Sequence, residues 1–439
     1  MRTDPSQYLF RDTLRSVCGA AAMEIDPREV IYDADAVSQI AAVCDRLVAG
    51  QGRRVAVLAD SRTRTVAGDE ASEILRGAGW QVEFILVADP PGGTPVCDDL
   101  TRDALAARLA EPQLILAVGS GVINDLGKWL AAERGVPYVA LATAASMTGY
   151  ASANVAPAVK GVKTLVRGRA SAAIISSPAI LRGAPYEMTA AGLGDVVAKI
   201  VSSADWRLNN LLFGDEYLPE VVGLASAVEP LYLDRPEALR ALEPAAIDAL
   251  FAALNLIGVS QTLARTSAPA SGGEHLISHA LDMMSSLDGR PHDLHGRQVG
   301  VGTILAAEFY GRALAIESPR FVAAPERIDE PFWGRLSGEV AACYAEKQAR
   351  LRQAREFLSH GNAWDRLRQT LAPMLRPAEA IRDCLSRAGA ATTAADIRCD
   401  RARLLAALRH AHEIRPRFTI LDLVNILGLL PRAAEEIVR

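Results

Sequence analysis

Along roughly the first 180 residues, short continuous apolar runs alternate with segments of helical period. RRVAVLAD (53–60) is a β-rich run that stops at an aspartate, a helical segment follows over roughly 68–78, and WQVEFILVA (80–88) is the next apolar run. After the Pro/Gly-rich loop DPPGGTP (89–95), the pattern predicts a helix near 99–110 and a strand at LILAVGSG (114–121). A helix near 123–134 and strands at YVALAT (138–143) and AAIISS (172–177) complete the series. Strands that are apolar throughout and separated by helices belong to a mostly parallel sheet covered on both faces. Near residue 188 the period changes. From TAAGLGDVVAKIVSSADWRLNN (189–210) onward, through AIDALFAALNLIGVSQTLAR (246–265) to PRFTILDLVNILGLL (416–430), apolar positions recur every 3.6 residues and no strand pattern stands out. The reading is an α/β domain over residues 1–188 followed by an all-α domain over 189–439. The charged helical stretch 315–375 reads as a solvated pair of surface helices.

Composition narrows the chemistry. Of 439 residues half are hydrophobic and 23 % are charged, which is enough apolar surface for two or three packed cores. A formal charge of −5 offers no basic field for DNA or RNA, so no nucleic-acid partner is expected. Six scattered cysteines without a CxxC spacing argue against a disulfide framework or a four-cysteine zinc site and suit a reducing cytoplasm. MRTDPSQYLFRDTLRS lacks the apolar core of an export signal, and no run approaches the roughly 18 continuous apolar residues of a membrane span. Only five of the 47 basic residues are lysine, and four of them, Lys128, Lys160, Lys163 and Lys199, fall in one window. Chance clustering explains this as well as a need there for compact ammonium groups.

The first chemical signal is the turn AVGSGVIND (117–125). Gly119 and Gly121 stand where a buried strand passes into a helix, so a phosphate can approach the backbone and meet free N–H groups at the positive end of the helix dipole. The pattern GxGxxN matches neither the usual dinucleotide fingerprint nor a Walker loop, and an ordinary β-to-α turn stays open. Asn124 and Lys128 lie one turn apart on that helix. Asp60, at the end of an earlier strand, has the chemistry to accept ribose hydroxyls, but it precedes the glycines instead of following them by about 20 residues. Arg62 nearby would tolerate a 2′-phosphate, which leaves NAD and NADP both open. In LATAASMTGYASAN (141–154), Thr143, Ser146, Thr148 and Ser152 crowd hydroxyls around Gly149 at the carboxyl end of a strand. Open α/β sheets bind ligands at such loops, though a plain polar loop has the same composition.

The second signal is the placement of histidine. Of seven, His275, His279, His292 and His295 fall within 21 residues. His275 and His279 are four apart, hence on one helical face, behind the glycine pair of SGGEHLISHALDMM. Converging imidazoles and a carboxylate make a divalent-metal site with an open position, and Asp195 in AGLGDVVAK is the carboxylate candidate. Nitrogen and oxygen donors of this kind suit zinc, nickel or iron alike. Lys199 follows Asp195 at i+4, as an ion-pair partner or as a phosphate contact.

Taken in order, GSGVINDLGK, TAASMTGYAS, AGLGDVVAK, ADW, GGEHLISHALD and LHGRQVGVGT resemble the sn-glycerol-1-phosphate dehydrogenases, within the wider iron-alcohol-dehydrogenase, glycerol-dehydrogenase and dehydroquinate-synthase superfamily. The likeness covers roughly residues 50–310 and continues into AHEIRPRFTILDLVNILG. It implies a dehydroquinate synthase-like fold, with NAD(P) on the N-terminal domain and one divalent metal on the helical one. By motif the metal falls to Asp195, His275 and His295, while His279 faces substrate and nicotinamide and His292 is structural. Nucleotide contacts fall to Gly119, Ser120, Gly121, Val122, Ile123, Asn124 and Asp125, to Thr143, Ser146 and Ser152, and to Asp60. The resemblance also implies a homodimer.

One departure bears on the substrate. The family reads SMDG where this chain reads SMTG, so a substrate-contacting aspartate is Thr148 here, with the hydroxyl kept and the charge lost. The implied reaction interconverts dihydroxyacetone phosphate, or a close polyol phosphate, with sn-glycerol 1-phosphate. Lys160 and Lys163, in VKGVK, and Lys199 are the cationic candidates for the substrate phosphate. Two other readings stand beside it: a cyclisation like that of dehydroquinate synthase, borrowing NAD transiently, and a nucleotide-binding homologue that Thr148 marks as catalytically impaired. Against the cyclase, that branch uses a glutamate where this chain has Asp195.

Overall fold

The computed structural model of the chain describes residues 13–16, 19, 25–50, 52–90, 93–224, 226 and 229–438. The N-terminal segment read for an export signal lies mostly outside these residues, as do Cys18 and the Pro91–Gly92 part of the Pro/Gly-rich loop. The chain packs as two compact units, one formed by Met1–Gly192 with Glu220–Thr266, the other by Leu193–Pro219 with Ser267–Arg439. The segment Glu220–Thr266 therefore groups with the sheet, although its period is helical.

The first unit is built on six parallel strands. In chain order they are β1 (Glu29–Tyr32), β2 (Arg54–Ala59), β3 (Gln81–Leu86), β4 (Leu114–Gly119), β5 (Tyr138–Ala142) and β10 (Ala173–Ser176). Between β5 and β10 lie the two-residue strands β6 (Asn154–Val155), β7 (Ala158–Val159), β8 (Val162–Lys163) and β9 (Val166–Arg167). The spatial order is β1-β10-β5-β4-β2-β3. Val57 stands opposite Leu116, and Leu116 opposite Val139, so the buried centre is a ladder of branched aliphatics. Parallel pairing with both faces covered is what the unbroken apolar runs demand. Two features escaped the pattern. EVIY (29–32) is too short to signal a strand but completes the sheet edge beside β10, with Val30 paired to Ile174. The segment 154–167 folds into the antiparallel pairs β6–β9 and β7–β8, and Lys160 and Gly161 at the tip of β7–β8 both have positive φ (51° and 82°). Two such residues in a two-residue loop match the twist of the flanking strands.

The helices that anchor the core or carry candidate site residues are α1 (Gly121–Arg134), α2 (Tyr186–Val197), α3 (Lys199–Phe213), α4 (Pro244–Leu263), α5 (Gly273–Asp288), α6 (His295–Leu314), α7 (Ser337–Leu358) and α8 (Ile420–Ile426). No strand follows β10 among the described residues. α4 is long and apolar enough to cross a membrane by composition, but about nine-tenths of it is buried in the protein, as in a core helix. Within the first unit the Tyr32 hydroxyl donates to Asp248 Oδ1 at 2.8 Å, and the Tyr32 and Phe251 rings meet at 5.2 Å. Gly258 brings α4 against the loop after β5, because a Cβ there would lie 2.6 Å from the Thr148 carbonyl oxygen.

In the second unit the charged stretch 315–375 is irregular up to Asp329 and helical only from Glu330 on, and its helices are not wholly solvated. α7 buries Val340, Tyr344, Lys347, Leu351, Ala354 and Leu358, one stripe at helical spacing with a lysine inside it. The fully buried Lys347 ammonium donates to both Asp422 carboxylate oxygens at 3.0 and 3.1 Å and to the His412 carbonyl, tying α7 to α8. Removing one member of such a pair leaves the other charged and unsolvated. Lys347→Met should therefore lower unfolding stability by about 3–5 kcal/mol. Lys347→Met with Asp422→Leu should recover most of that loss, as read by urea unfolding of the parent and both variants.

Candidate metal and nucleotide sites

In the second unit, three helices bring together residues distant in sequence. Asp195 sits near the end of α2, His275 in the first turn of α5, and His295 at the start of α6. Glycines permit the approach. A Cβ on Gly194 would fall 2.0 Å from the Gly296 carbonyl oxygen, and one on Gly302 would fall 2.5 Å from the Glu274 carbonyl oxygen, so α2, α5 and α6 meet backbone to backbone. Asp195 Oδ1 then lies 3.4 Å from His275 Nε2 and 3.9 Å from His295 Nε2. One ligand atom from each of the three falls within 4.8 Å of the others. With metal–ligand bonds of about 2.0–2.2 Å, neighbouring donors on a tetrahedral ion stand roughly 3.3–3.6 Å apart, so the Asp195–His275 separation already suits one cation and the others must contract toward it. The donor chemistry, one carboxylate and two imidazoles, fits a divalent ion with a position left for substrate.

The surroundings concentrate negative charge. Burial alone would lower the affinity of His275 for a proton, yet its bonds to Asp195 and Glu274 and their charges push its pKa up to about 9. This pocket therefore favours positive charge at that point. His279, one turn along α5, is buried beside the set, with ring centroids 6.0 Å from His275 and 5.7 Å from His295 and a near-parallel stack on the latter. His292 is not part of the group; its Nδ1 lies 3.5 Å from Asp282 Oδ1 and its side chain is half-exposed. Lys199 is buried at the first residue of α3.

Behind His275 lies a layer that sequence reasoning missed. Glu274 Oε1 accepts from the Gly272 N–H at 2.7 Å and stands 2.8 Å from His275 Nδ1. Asp205, from the ADW motif, accepts from the Gly273 N–H (2.7 Å), the Ile420 N–H (2.8 Å) and the Tyr310 hydroxyl (2.5 Å). Burial first, then the Glu274 charge, pushes the Asp205 carboxyl up to about 8. The signal was present in GGEH and ADW, where acids adjoin a histidine or a tryptophan, but neither acid carries a spacing that marks a partner.

In the first unit, β4 runs into α1 through Gly119, where a Cβ would collide with Ile123 at 2.6 Å. Ser120 is the extended residue before α1, and its side chain makes no cap bond to the helix; its hydroxyl instead meets the Ser146 hydroxyl. The first turn, Gly121, Val122 and Ile123, keeps its N–H groups clear of that side chain. Asn124, Asp125 and Lys128 serve the loop after β5. Asp125 Oδ2 accepts from the Ala156 N–H at 3.1 Å, and Oδ1 accepts from Asn124 and Lys128 at 3.1 and 3.3 Å. The fully buried Lys128 ammonium also donates to the carbonyls of Gly149 (2.7 Å) and Asn154 (2.8 Å). Thr143 and Thr148 are buried in the same loop, while the Ser152 hydroxyl turns to Gln261 of α4 at 3.4 Å. Asp60 ends β2 and caps the next turn, accepting from the Arg62 and Thr63 N–H groups at 2.9 and 2.8 Å. Its second oxygen takes the Arg62 guanidinium at 2.7 Å, which also reaches Asp89 at 2.7 Å. Burial would raise the Asp60 carboxyl, but these bonds hold it below the usual carboxylate range. Lys160 and Lys163 sit on the β7–β8 hairpin, and the Lys160 N–H donates to Asp99.

Known proteins resemble this chain in sequence and in fold. Residues 31–185 match the family model described as iron-containing alcohol dehydrogenase. The glycerol-1-phosphate dehydrogenase (NAD(P)+) of Pyrococcus furiosus is 31 % identical over 285 residues, 65 % of this chain and 79 % of the relative. That of Bacillus licheniformis is 28 % identical over 379 residues, covering 86 % of this chain and 84 % of its own. A crystal structure of a probable glycerol dehydrogenase from Sinorhizobium meliloti superposes with a TM-score of 0.60 at 16 % identity, covering 93 % of this chain and 98 % of the other. The last is a likeness of fold, and the fold is dehydroquinate synthase-like.

The closest backbone approach in the second unit gives a direct test. Gly194→Ala must push α2 away from α6, and it should lower stability by at least about 2 kcal/mol. Leu193→Ala, a neighbouring buried change without a backbone clash, is the control for simple packing loss in the same denaturant titration.

Proposed function

Because the chain belongs to the glycerol-1-phosphate dehydrogenase family, we propose that it reduces dihydroxyacetone phosphate, or a closely related ketone phosphate, to sn-glycerol 1-phosphate with NAD(P)H, and runs the reverse oxidation. The observation that carries the reading is the convergence of Asp195, His275 and His295, each donor atom within 4.8 Å of the others. These three would hold one divalent cation, zinc, nickel or iron. When bound, the cation supplies Lewis-acid polarisation of the substrate carbonyl and the reduced nicotinamide supplies the hydride.

The protein's own residues account for the rest. Asp195 brings the one formal charge of the donor set, and both imidazoles bring neutral nitrogen. His279, which is buried and stacked on His295, would hold or pass a proton at the substrate oxygen. In the first unit the α1 N-terminus, Gly119 to Asp125, offers N–H groups and a positive dipole end to the dinucleotide phosphates. Ser120, Thr143, Ser146 and Ser152 line the same loops, and Asp60 stands at the β2 end for the ribose. Thr148 takes the place of a substrate-contacting aspartate, and Lys160, Lys163 and Lys199 are the cations for the substrate phosphate. A homodimer in the cytoplasm completes the proposal; Cys44, Cys97, Cys343 and Cys399 carry unbridged thiols, which supports a reducing compartment.

Turnover of ketone phosphates, followed at the nicotinamide absorbance with NADH and NADPH on protein loaded separately with Zn²⁺, Ni²⁺ and Fe²⁺, tests the reading. His275→Ala should lose both metal and activity. His279→Ala should keep its metal while kcat falls by about 10²–10⁴. Metal content of the two purified variants separates these roles, and the reverse pattern would mean that they are exchanged. Thr148→Asp should raise turnover of the phosphate ester; an unchanged substrate preference would remove Thr148 from the site.

A further inference from the structure

Glu274 precedes His275 directly and is fully buried. Nε2 of His275 is the nitrogen that faces Asp195, at 3.4 Å. Its other nitrogen, Nδ1, stands 2.8 Å from Glu274 Oε1, which also accepts the Gly272 N–H. A carboxylate oxygen can only accept, so the proton of a neutral His275 resides on Nδ1 and the lone pair on Nε2 points toward Asp195. His295 differs: its Nδ1 lies 3.3 Å from the Ser278 hydroxyl, a neutral partner that rests in turn on the Gln298 amide at 2.9 Å.

We propose that Glu274 is the positioning residue of the metal centre, fixing the tautomer and ring orientation of His275 and adding the second buried carboxylate that matches the site to a divalent cation. The inference rests on the metal-centre reading above. Its geometry is held from several sides. A Cβ on Gly272 would lie 2.8 Å from Glu274 Oε2 and 2.5 Å from Asp205 Oδ2, so the two carboxylates close over Gly272 and a side chain there would have to displace them. Asp205 is fixed by Tyr310, Gly273 and Ile420, and the buried Arg417 guanidinium, whose Nη1 donates to the Ser271 carbonyl at 2.6 Å, is the nearby positive charge that both carboxylates feel. Glu274 therefore has a fixed place in which to orient a ring, and Oε2 has no hydrogen-bond partner among the described residues. Carboxylate partners of ligating histidines raise ligand basicity as well as aligning it.

Glu274→Gln tests this without changing the side chain's shape. The amide oxygen still accepts from Gly272 and His275, but the charge is gone. Zn²⁺ binding by the full chain, measured by competition with a chromophoric chelator, should weaken by about 10–100-fold. The visible bands of the Co²⁺-loaded protein should shift, while the metal-free melting temperature stays near that of the parent. Glu274→Ala should show the same loss of Zn²⁺ affinity with the metal-free protein also destabilised. Parent-like Zn²⁺ affinity and Co²⁺ bands in Glu274→Gln, with His275→Ala losing the metal, would overturn the role of Glu274 alone. Equal Zn²⁺ binding by the parent and His275→Ala would overturn the metal centre and this inference together.

Discussion

Everything in the second unit depends on helices meeting at backbone distance. At Gly194 and Gly302 the neighbouring carbonyls occupy the space a methyl group would need. That approach sets the spacing at which Asp195 Oδ1 meets His275 Nε2 at 3.4 Å and His295 Nε2 at 3.9 Å, closer than ordinary helix packing with axes some 8–10 Å apart requires. The glycines of AGLGDVVAK and LHGRQVGVGT are therefore part of the metal site although they donate nothing to it. The same device recurs at Gly272, where two buried carboxylates fill the missing side chain's place.

Much of this was legible in the sequence because hydrophobic period and ligand chemistry are local signals. Unbroken apolar runs placed five of the six parallel strands to within about two residues, the usual uncertainty of element ends. The switch to a 3.6 period near residue 188 gave the helical character of the remainder. What stayed hidden was non-local. EVIY is too short to announce a strand and is fixed by pairing with residues about 145 positions away, its register Glu29 to Ala173. The hairpins at 154–167 follow from the positive-φ pair Lys160–Gly161, which ordinary propensity does not reveal at a lysine. Lys347 looked like one more solvated charge, and only Asp422, 75 positions on, turns it into an interior residue.

The candidate site divides the same way. Asp195, His275 and His295 could be named from residue type, spacing and family motif, and their donor atoms converge. In the first unit several named residues do structural work as well. Asp125 and Lys128 hold the loop that carries Thr148, and Asp60 spends its oxygens on a helix cap and on Arg62. Glu274 escapes a pattern search for ligands, which counts donors to the ion and not donors to the donors, a distinction that only coordinates draw.

The first unit is discontinuous, and this has a consequence for how the molecule is made. Its sheet emerges from the ribosome well before α4, yet Tyr32 and the loop after β5 find their buried partners, Asp248, Phe251 and Gln261, only on that later helix. Chains elongate at about 5–20 residues per second, so a nascent sheet waits several seconds with part of its apolar surface uncovered. The N-terminal half cannot finish folding vectorially; it must hold its place until a segment from beyond the start of the second unit arrives to close it.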